Sequence, residues 1–519
     1  KEDNINKFYE IIKEYSVPKF YYKKYCKVQG LINLLNISRL DDENNWMDIG
    51  KCLYNIDINL LEIWKQLSLK NNKYLDKDID KIWSDMRKNE FNINTLHFWA
   101  KCDNYDEYMK LNNNNIIEIF ENNNIIWSDD DIAKLFYKIK KNELICAQSE
   151  KKKIWYLFEK GIWNRLKDEN KIRLIINKEL LNIFKKYQLI LTKKLQNENM
   201  TDCKIILEKK KKSIEDIIKK LKTYSFGTQL INQSILYFKD DDFIEKLDCN
   251  PNIICFGNYL FDLKDCRWRE SLPCDMCSLK CGVAKDEVNK KDFHLIDEIL
   301  SDIFINNEVK DFVINEMSLF LNGNNLRQLF YIWLGTGANG KSFLAKCLEN
   351  SFGDYYTELP TESITGKEAK ATQATPFLAN GKGRRIVVYS EPEEGSKLNN
   401  SIMKKLTGGE SVLYRELYGD PRKYKPMFKP IILCNTNFEL QQIRDKSIPR
   451  RLRYINFKTK FVENPTFDFQ RKRNEDYMSE EFLEKIKGPF MWLLINNYVK
   501  LKETNFKFNI PQIIINEQL

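Results

Sequence analysis

The chain has 519 residues, a hydrophobic content of 43%, an aromatic content of 13% and a formal net charge of +10 at pH 7. This apolar content is enough for packed interiors, so a wholly disordered chain is excluded. The length exceeds what one hydrophobic core supports, and at about 100–200 residues per domain it predicts three or four domains.

The charge and the cysteines bear on the partner class and the location. The positive excess is modest for the length, so it allows a nucleic-acid partner without requiring one. The thirteen cysteines follow no disulfide-framework spacing, and no apolar run reaches the about 18 residues that a membrane span needs. We therefore expect an intracellular chain with reduced thiols, neither secreted nor membrane-bound. Because the chain begins with Lys1 instead of Met, we expect it to be part of a longer protein.

The amino-terminal segment, residues 1–110, is predicted to be a helical module. Its apolar residues recur at spacings of three and four, as in WMDIGKCLYNIDINLLEIWKQLS. Asparagine runs at 111–124 indicate a boundary or linker after it. Tryptophans at this spacing usually pack together, so four of them are expected to form the core of the module: Trp46, Trp64, Trp83 and Trp99.

The middle segment, residues 111–295, has a mixed pattern. Alternating aromatic residues on either side of Glu159–Lys160–Gly161 predict a β-hairpin. A long basic helical stretch at about 169–222 follows, and its lysine run is interpreted as a solvated face, with a nucleic-acid contact as the alternative. Two short strands are expected around a turn at Gly257–Asn258, and helices resume near 292–322.

A glycine-rich loop follows these helices. It fits the pattern G-x-x-x-x-G-K-[ST], with a buried-strand run (LFYIWL) before it and a helical run (SFLAKCLENSF) after it. Amides at the start of that helix would bind phosphates, Lys341 would reach the β- and γ-phosphates, and Ser342 would ligand Mg²⁺. We therefore predict a nucleotide-binding loop made of Gly335, Thr336, Gly337, Ala338, Asn339, Gly340, Lys341 and Ser342.

A phosphate loop of this kind needs an acidic partner at the end of a nearby strand. The strand in RRIVVYSEPEEG ends at Glu391, which is the preferred candidate for the acid that holds the metal and orients water. Glu393 and Glu394 remain the alternatives. A third strand, KPIILCN, ends in Asn435, whose amide could bind both the γ-phosphate and the attacking water, with Asn437 as the competitor.

Two basic elements complete the carboxyl-terminal pattern. Arg450 and Arg451 precede a strand, where a guanidinium could reach the γ-phosphate of a neighbouring subunit, although alone this pair would be interpreted as a surface salt bridge. Upstream, SVLYRELYGDPRKYKPMF predicts a hairpin with a basic and aromatic tip that suits single-stranded nucleic acid. The alternative is an exposed turn without function, with Tyr424 in the core. The tip residues are Arg422, Lys423, Tyr424 and Lys425.

Together these elements resemble the superfamily 3 helicases, specifically the poxvirus-type primase–helicases of large nucleocytoplasmic DNA viruses, related phages and mobile elements. YYTELPTESITGK, GKGRRIVVYSEPEEG, IMKKLTGGESVLYRELYGDPRKYKPMF and RRLRYINF are similar to the family's motifs in order and spacing. LDCNPNIICFGNYLFDLK resembles the domain that precedes the helicase, and the amino-terminal helices resemble the module that follows the primase domain.

The resemblance implies roles for individual residues. Gly335 to Ser342 correspond to the phosphate-binding motif, Glu391 to the principal acid, Asn435 to the sensor, and one of Arg450 and Arg451 to the arginine finger. The family's intervening motif covers Lys404, Thr407, Gly408, Gly409 and Arg415, and it adds Lys404 and Arg415 to the expected DNA contacts. Two departures are Glu410, where the family usually has Asp, and Phe438, where it usually has Pro.

The resemblance also implies a fold class and a domain plan. We expect a multidomain α/β protein with an AAA+-like P-loop ATPase domain built on a central parallel sheet. The expected segments are 1–110 (helical, primase-C-terminal-like), 111–295 (mixed), 296–460 (superfamily 3 ATPase core) and 461–519 (a truncated helical segment). The acidic runs SDDDIAK and KDDDF lack the strand pattern of a two-metal polymerase site and predict a helix cap and a surface turn. The primase catalytic module is therefore expected before Lys1.

The predicted function is a replicative DNA helicase that hydrolyses ATP with Mg²⁺ between the subunits of a ring, implied to be a hexamer. Expected partners are single-stranded and forked DNA, further copies of the chain, and a polymerase or processivity factor, in the host cytoplasm or nucleus. Zinc is not expected at Cys266, Cys274, Cys277 and Cys281, because the spacing match is weak and the resemblance gives no reason for a metal. The alternatives are another P-loop motor or a nucleotide kinase, and a DNA-binding scaffold or origin-recognition module with ATP as a structural ligand.

Overall fold

The structure is a computed structural model that describes residues 19–122, 127–149, 152–325, 327–365, 376–390, 397–415, 421–435, 439–440 and 449–517. The chain divides into two compact units. The first comprises Lys1–Leu144 and Leu166–Lys239, and the second comprises Ile145–Arg165 and Asp240–Leu519. These units cut across the four segments expected from sequence, and those segments remain a prediction.

The first unit is helical, as predicted for the amino-terminal part of the chain. A π-helical turn, Ile176–Leu180, joins the helices Asn170–Ile175 and Leu181–Asn197. The helices are α1 (Lys19–Ile32), α2 (Glu43–Ile56), α3 (Leu61–Ser68), α4 (Ile79–Ser84), α5 (Ile93–Asp103), α6 (Tyr105–Asn122), α7 (Asp129–Lys140), α8 (Asn170–Ile175), α9 (Leu181–Asn197), α10 (Thr201–Leu221) and α11 (Tyr224–Phe238).

Local sequence sets where these helices begin. The Asp42 carboxylate caps α2 by accepting a hydrogen bond from the Asn44 backbone N–H at 2.7 Å. Ser128 forms a capping box with Asp131, which satisfies two otherwise unpaired N–H groups at the start of α7. The helix cap predicted for SDDDIAK is thereby confirmed.

The tryptophan core predicted for this unit is also confirmed. Trp46 and Trp64 are fully buried, and their rings stack with centroids 4.6 Å apart. Tyr74 stacks on the other side of Trp46, at 4.1 Å. The Trp46 indole N–H donates to Ser68 Oγ at 2.8 Å, so the buried polar atom is satisfied. Gly50 allows this packing, because a Cβ there would lie 2.5 Å from the Trp64 ring.

Two small antiparallel sheets open the second unit, and both contain a predicted hairpin. The first sheet has the order β1 (Leu144–Ser149), β2 (Lys152–Glu159), β3 (Ile162–Arg165). Its tight turn at Lys160–Gly161 has positive φ at both residues, which matches the right-handed twist of the strands. The second sheet has the order β4 (Ile253–Cys255), β5 (Tyr259–Asp262), β6 (Arg267–Glu270), and its first turn contains Gly257–Asn258, as predicted.

A five-stranded sheet forms the centre of the second unit. All its pairings are parallel, and its strand order is β15 (Leu452–Asn456), β7 (Phe330–Leu334), β13 (Lys429–Cys434), β9 (Ile386–Tyr389), β8 (Tyr356–Leu359). The predicted central parallel sheet is thereby confirmed. Its strands are short apolar runs because both faces are buried.

Side chains alternate between two cores, one on each face of this sheet. Tyr331 and Trp333 of β7 join a large core that includes residues of the helices before and after the sheet. Phe330 and Ile332 join a second core that includes Leu406 from the helix Asn400–Thr407. The two-residue period of a strand therefore assigns each residue of β7 to one face.

The remaining elements of the second unit surround the sheet. Among the described residues, no helix is both long enough and apolar enough to cross a membrane. The helices are α12 (Phe243–Lys246), α13 (Phe293–Ile303), α14 (Asn307–Ser318), α15 (Lys341–Phe352), α16 (Glu362–Thr365), α17 (Pro376–Ala379), α18 (Asn400–Thr407), α19 (Glu480–Glu503) and α20 (Gln512–Glu517). The short strands are β10 (Lys397–Leu398), β11 (Val412–Arg415), β12 (Pro421–Tyr424), β14 (Glu439–Leu440), β16 (Lys460–Val462) and β17 (Gln470–Lys472).

Candidate functional site

The glycine-rich loop lies at the carboxyl end of β7 and leads directly into α15, which begins at Lys341. Three of its residues have positive φ: Gly337 at +93°, Ala338 at +48° and Gly340 at +88°. At Gly340 a Cβ would lie 2.6 Å from Ile303 Cγ1, so both the backbone conformation and the packing require glycine. The loop therefore curls tightly and presents the amino terminus of a twelve-residue helix.

The loop is held from behind by neighbouring strands. The Gly335 N–H donates to the Cys434 carbonyl at 3.2 Å, which ties the loop to the end of β13. The Phe461 N–H donates to the Ala338 carbonyl at 2.7 Å. A Cβ on Gly335 would overlap the Asn339 side-chain amide, and one on Gly337 would meet nothing within 4 Å. The loop is thus packed at its base and open at its crest.

Lys341 is the buried charge of this site. Lys341 is 6% exposed. Its ammonium donates hydrogen bonds to the Gly335 carbonyl and to Asn435 Oδ1, and the distance to Asn435 Oδ1 is 3.2 Å. Asn435 comes directly after β13, 94 residues further along the chain. The parallel sheet therefore brings together two residues that the sequence analysis assigned to one site.

The other loop residues differ in exposure. Asn339 is 4% exposed, and its amide lies within 3.4 Å of the Lys341 ammonium. Thr336 and Ser342 are exposed, and Ser342 stands in the first turn of α15. Glu391, the predicted acid, lies outside the described residues, as do its alternatives Glu393 and Glu394 and the competing amide Asn437.

The arginine pair lies at the other end of the sheet. Arg450 is exposed, and the Arg451 guanidinium donates to Gln328 Oε1 at 3.2 Å. Leu452, the next residue, pairs with Phe330 at the amino end of β7, whereas Lys341 follows its carboxyl end. The five residues of β7, a length of about 13 Å, therefore separate the two groups along the sheet, and the pair does not join the Lys341 site within one chain.

The predicted basic hairpin is present as β11 and β12, and residues 416–420 at its tip lie outside the described residues. Leu413 pairs with Lys423, and Arg415 pairs with Pro421, so these residues share one face of the ribbon. Lys423 and Lys425 are exposed, and Arg415 and Arg422 are half-buried.

Tyr424 faces the other way. It is 6% exposed, its hydroxyl donates to the Leu378 carbonyl at 2.8 Å, and its ring packs edge-on against Tyr414 with centroids 5.4 Å apart. Burial also raises the pKa of its phenol. The expectation that Tyr424 stacks on a base is therefore not supported by its position, because its ring faces are covered by the core.

Lys404 lies half-buried on α18, whose buried Met403 and Leu406 belong to the same core as Tyr424 of the hairpin. The helix ends at Gly408, whose N–H donates to the Lys404 carbonyl at 2.7 Å. A Cβ on Gly409 would lie 3.5 Å from Lys425 Cε, so the Lys425 stem passes over this glycine. The glycine pair after α18 and the basic hairpin thus form one continuous surface.

The cysteines of the weak zinc pattern do not share one site. Cys277 and Cys281 are buried, and Cys266 and Cys274 are half-buried. A hydrogen bond with Cys255, and burial, raise the pKa of the Cys277 thiol. No group of three or more His, Cys, Asp or Glu side chains within the described ranges could hold a metal ion. Metal content remains a prediction from sequence.

Sequence reasoning missed the supports of the loop. Ile303, at the end of α13, fills the space that Gly340 leaves, and Phe461, at the start of the short β16–β17 pair, fixes Ala338. Neither residue carries a local signal, since an isoleucine at the end of an apolar helix and a phenylalanine in a short strand are ordinary. Only the fold identifies them.

The fold and the site define a mixed α/β protein with a helical amino-terminal unit and a parallel sheet that carries a glycine-rich loop. Family comparison is more specific. Residues 133–305 match the family described as D5 N terminal like, and residues 28–100 match Primase C terminal 2 (PriCT-2). The resemblance stated from sequence is confirmed: the chain matches the primase–helicase family of large DNA viruses.

Individual relatives agree with this assignment. The chain is 30% identical over 498 residues to "Putative helicase L207/L206" of Acanthamoeba polyphaga mimivirus, covering 92% of this chain and 51% of the relative. It is 23% identical over 392 residues to "Putative primase C962R" of African swine fever virus (isolate Warthog/Namibia/Wart80/1980), covering 72% and 40%. The chain therefore spans about half the length of the curated relatives it matches.

A solved structure, the A form of the apo NrS-1 C-terminal region, aligns with 72% of this chain and 71% of its own. The sequence identity is 11% and the TM-score 0.39.

Proposed function

We propose that the chain is the helicase part of a viral primase–helicase, and that it hydrolyses ATP to move along single-stranded DNA and unwind duplex. The observation that carries this proposal is the convergence of Lys341, the Gly335 carbonyl and Asn435 at the carboxyl end of a parallel sheet. Nucleotide sites in open α/β sheets lie at this end of the strands. The relatives that are named helicases support the same conclusion.

The loop has the properties that a triphosphate requires. Residues with positive φ are typical of loops whose backbone N–H groups line an anion-binding concavity, and the α15 amino terminus adds a partial positive charge. The Lys341 ammonium is already held at the base of this concavity, and space is open at Gly337. Phosphate oxygens would compete with the Gly335 carbonyl for the hydrogen bond that the Lys341 ammonium donates.

Mg²⁺ would be held from the Ser342 hydroxyl, which is exposed in the first turn of α15. The ion would neutralise charge on the phosphates and hold them in one orientation. Glu391 is the proposed acidic contact of the ion, on sequence grounds alone. Asn435 is proposed to sense the γ-phosphate, since its amide lies 3.2 Å from the Lys341 ammonium.

The DNA contact is proposed at the exposed face of the basic hairpin. Lys423 and Lys425 are exposed, and Arg415 lies on the same face as Lys423, whereas the half-buried Arg422 pairs with Tyr414 on the other face. Lysine ammoniums at this spacing would follow phosphates of one strand. Lys404 contributes from the neighbouring helix, whereas Tyr424 is left out because it is buried.

A ring assembly is proposed from the position of the arginines. Arg450 and Arg451 lie at the opposite end of the sheet from Lys341, so a finger would have to come from a second copy of the chain. A site shared in this head-to-tail manner favours a closed ring. Six subunits, a replicative polymerase or processivity factor as partner, and a place of action in the host cell are further expectations from the family resemblance.

Nucleotide binding tests the site before any motor activity is required. Lys341→Ala is expected to weaken the binding of a fluorescent ATP analogue with Mg²⁺ by at least about tenfold, because the charged contact to the phosphates is lost. Lys346→Ala is the matched control on the same helix, where the exposed lysine pairs with Glu349. Equal affinity of both variants and the unmodified chain would contradict the assignment of the loop.

A further inference from the structure

The positive charge of the chain is concentrated on one pair of helices in the first unit. Residues 181–221, which contain α9, α10 and their connection, carry eleven lysines and five acidic residues. Their net charge of +6 is more than half of the +10 of the whole chain. The sequence alone favoured a solvated face for this basic stretch, with a nucleic-acid contact as the alternative.

Most of these lysines are exposed and have no acidic partner within the described part of the chain. Lys194 pairs with Glu121 at 2.5 Å, and Lys219 pairs with Asp216 at 3.3 Å across an exposed helix turn. An exposed pair of the second kind contributes little, so Lys219 stays available to another anion. The exposed lysines without an ion pair include Lys185, Lys186, Lys193, Lys204, Lys209 and Lys212.

Part of this surface is concave. A groove of about 550 Å³ lies between α9 and the carboxyl-terminal part of α10. Lys185 lines it from α9, and Lys219 and Lys222 line it from α10 and its cap. Between these rims lie Leu189, which is 63% exposed, and the buried Ile218.

One acidic group lies inside the groove. The Glu215 carboxylate accepts a hydrogen bond from the Gln188 side-chain amide at 3.1 Å, which orients it across the two helices. Three lysines and one carboxylate leave the groove with a net charge of +2. The groove therefore combines basic rims with an aliphatic floor.

We propose that this groove binds a single strand of nucleic acid, as a second contact separate from the basic hairpin of the other unit. Phosphates would lie against the lysines of the two rims, and sugars or bases would cover Leu189. Lys185, Leu189 and Lys193 are four residues apart on α9, so the basic face continues beyond the groove along the helix. Such an extended row of positive charge fits a polymer with regularly spaced negative charge.

Two other partners would use similar chemistry. An anionic membrane attracts exposed lysines with apolar neighbours, and Met200, Ile205 and Ile206 near the tip of the helix pair are exposed. A bilayer surface is broad, however, whereas the lysines here line a groove between two helices. An acidic peptide would bind through charge alone and would not need the aliphatic floor. The combination of groove and floor favours a nucleic-acid strand.

The test compares two triple variants of the full chain. Lys185→Gln/Lys219→Gln/Lys222→Gln removes the rims, and Lys70→Gln/Lys81→Gln/Lys88→Gln removes the same charge from exposed positions elsewhere in the first unit. Binding of a fluorescent 20-nucleotide oligothymidylate is followed by anisotropy over a range of NaCl, without nucleotide. The groove variant should bind about tenfold more weakly, and the slope of log K against log [NaCl] should be shallower by about two. The control variant should change little in both respects.

Several outcomes would overturn the proposal. Equal affinities of the two triple variants would exclude the groove as a strand contact. Unchanged oligothymidylate binding with lost binding to phosphatidylcholine–phosphatidylserine vesicles would point to a membrane surface. Competition by poly-glutamate as strong as by unlabelled oligothymidylate would point to an acidic protein.

Two further variants separate this contact from the proposed ATPase. Lys341→Ala should bind the oligothymidylate like the unmodified chain, since no nucleotide is needed. Leu189→Ala should weaken binding without changing its salt dependence, because it removes apolar contact and no charge. Unchanged affinity of Leu189→Ala would show that the strand does not contact Leu189, and it would favour binding by charge alone.

Discussion

A half-buried histidine of the first unit gives a quantitative prediction for stability against pH. His97 lies on α5 with its Nδ1 3.2 Å from the Tyr108 hydroxyl. Burial, with the nearby charges of Lys27 and Lys141, lowers its pKa from 6.5 to about 4. The folded chain therefore keeps the imidazole neutral at pH values where the unfolded chain protonates it.

The sign and the size follow from proton linkage. Well above pH 6.5 neither state binds the proton, so the histidine does not change the free energy of unfolding there. As the pH falls from 6.5 towards 4, only the unfolded state gains the proton, so the first unit loses stability. The loss between pH 7.5 and pH 4.5 is about 2.5 kcal/mol, at about 1.4 kcal/mol per pH unit of pKa difference.

Replacement of His97 separates its contribution to the pH dependence of stability from the contribution of the chain's carboxylates. The free energy of unfolding would be measured by urea denaturation at several pH values, with hydrogen exchange of peptides from 93–103 as the reporter. His97→Gln should lose less stability than the unmodified chain over this range, by about 2.5 kcal/mol. His294→Gln is the matched control, because it changes the only other histidine, which is exposed. Identical pH profiles for His97→Gln and the unmodified chain would refute the reasoning.

Three further predictions concern the second unit. Lys423→Ala with Lys425→Ala should lower the DNA stimulation of ATP turnover about tenfold in a steady-state assay while ATP binding is kept, and unchanged stimulation would rule out the hairpin as the DNA contact. Gly340→Ala should weaken ATP binding about tenfold, because an alanine in the left-handed conformation costs about 1–2 kcal/mol and its Cβ would meet Ile303. Full affinity in an ATP titration would show that the loop adapts. Glu316→Ala should lower the free energy of unfolding, measured by urea denaturation, by about 3 kcal/mol. The buried Glu316 carboxylate accepts hydrogen bonds from Arg327 and from the Tyr331 hydroxyl, at 2.6 Å each. A loss below about 1 kcal/mol would contradict this prediction.

Elements with a strong local signal were predictable from the sequence. The position of the loop follows from the apolar run of β7, the glycines after it and the helix that follows. Each of these three signals depends only on residues that are neighbours in the sequence. The turn at Lys160–Gly161 and the stacking of Trp46 on Trp64 belong to the same group. In these cases turn chemistry and hydrophobic periodicity suffice.

Contacts between distant segments were not predictable in the same way. The proximity of Ile303 to Gly340 depends on how α13 packs behind the sheet, and no local pattern encodes it. Tyr424 illustrates a different limit. Its strand alternates between faces, and only the register with Val412 and Tyr414 shows that the tyrosine faces the core while Lys423 and Lys425 face solvent.

The measurement that tests the central claim most directly is steady-state ATP hydrolysis by the full chain with Mg²⁺, with and without single-stranded DNA, beside the Lys341→Ala and Lys346→Ala variants. The account predicts turnover that rises with DNA in the unmodified chain and in Lys346→Ala, and that is lost in Lys341→Ala. Turnover that survives in Lys341→Ala, or an unmodified chain that binds ATP and DNA without hydrolysis, would contradict it.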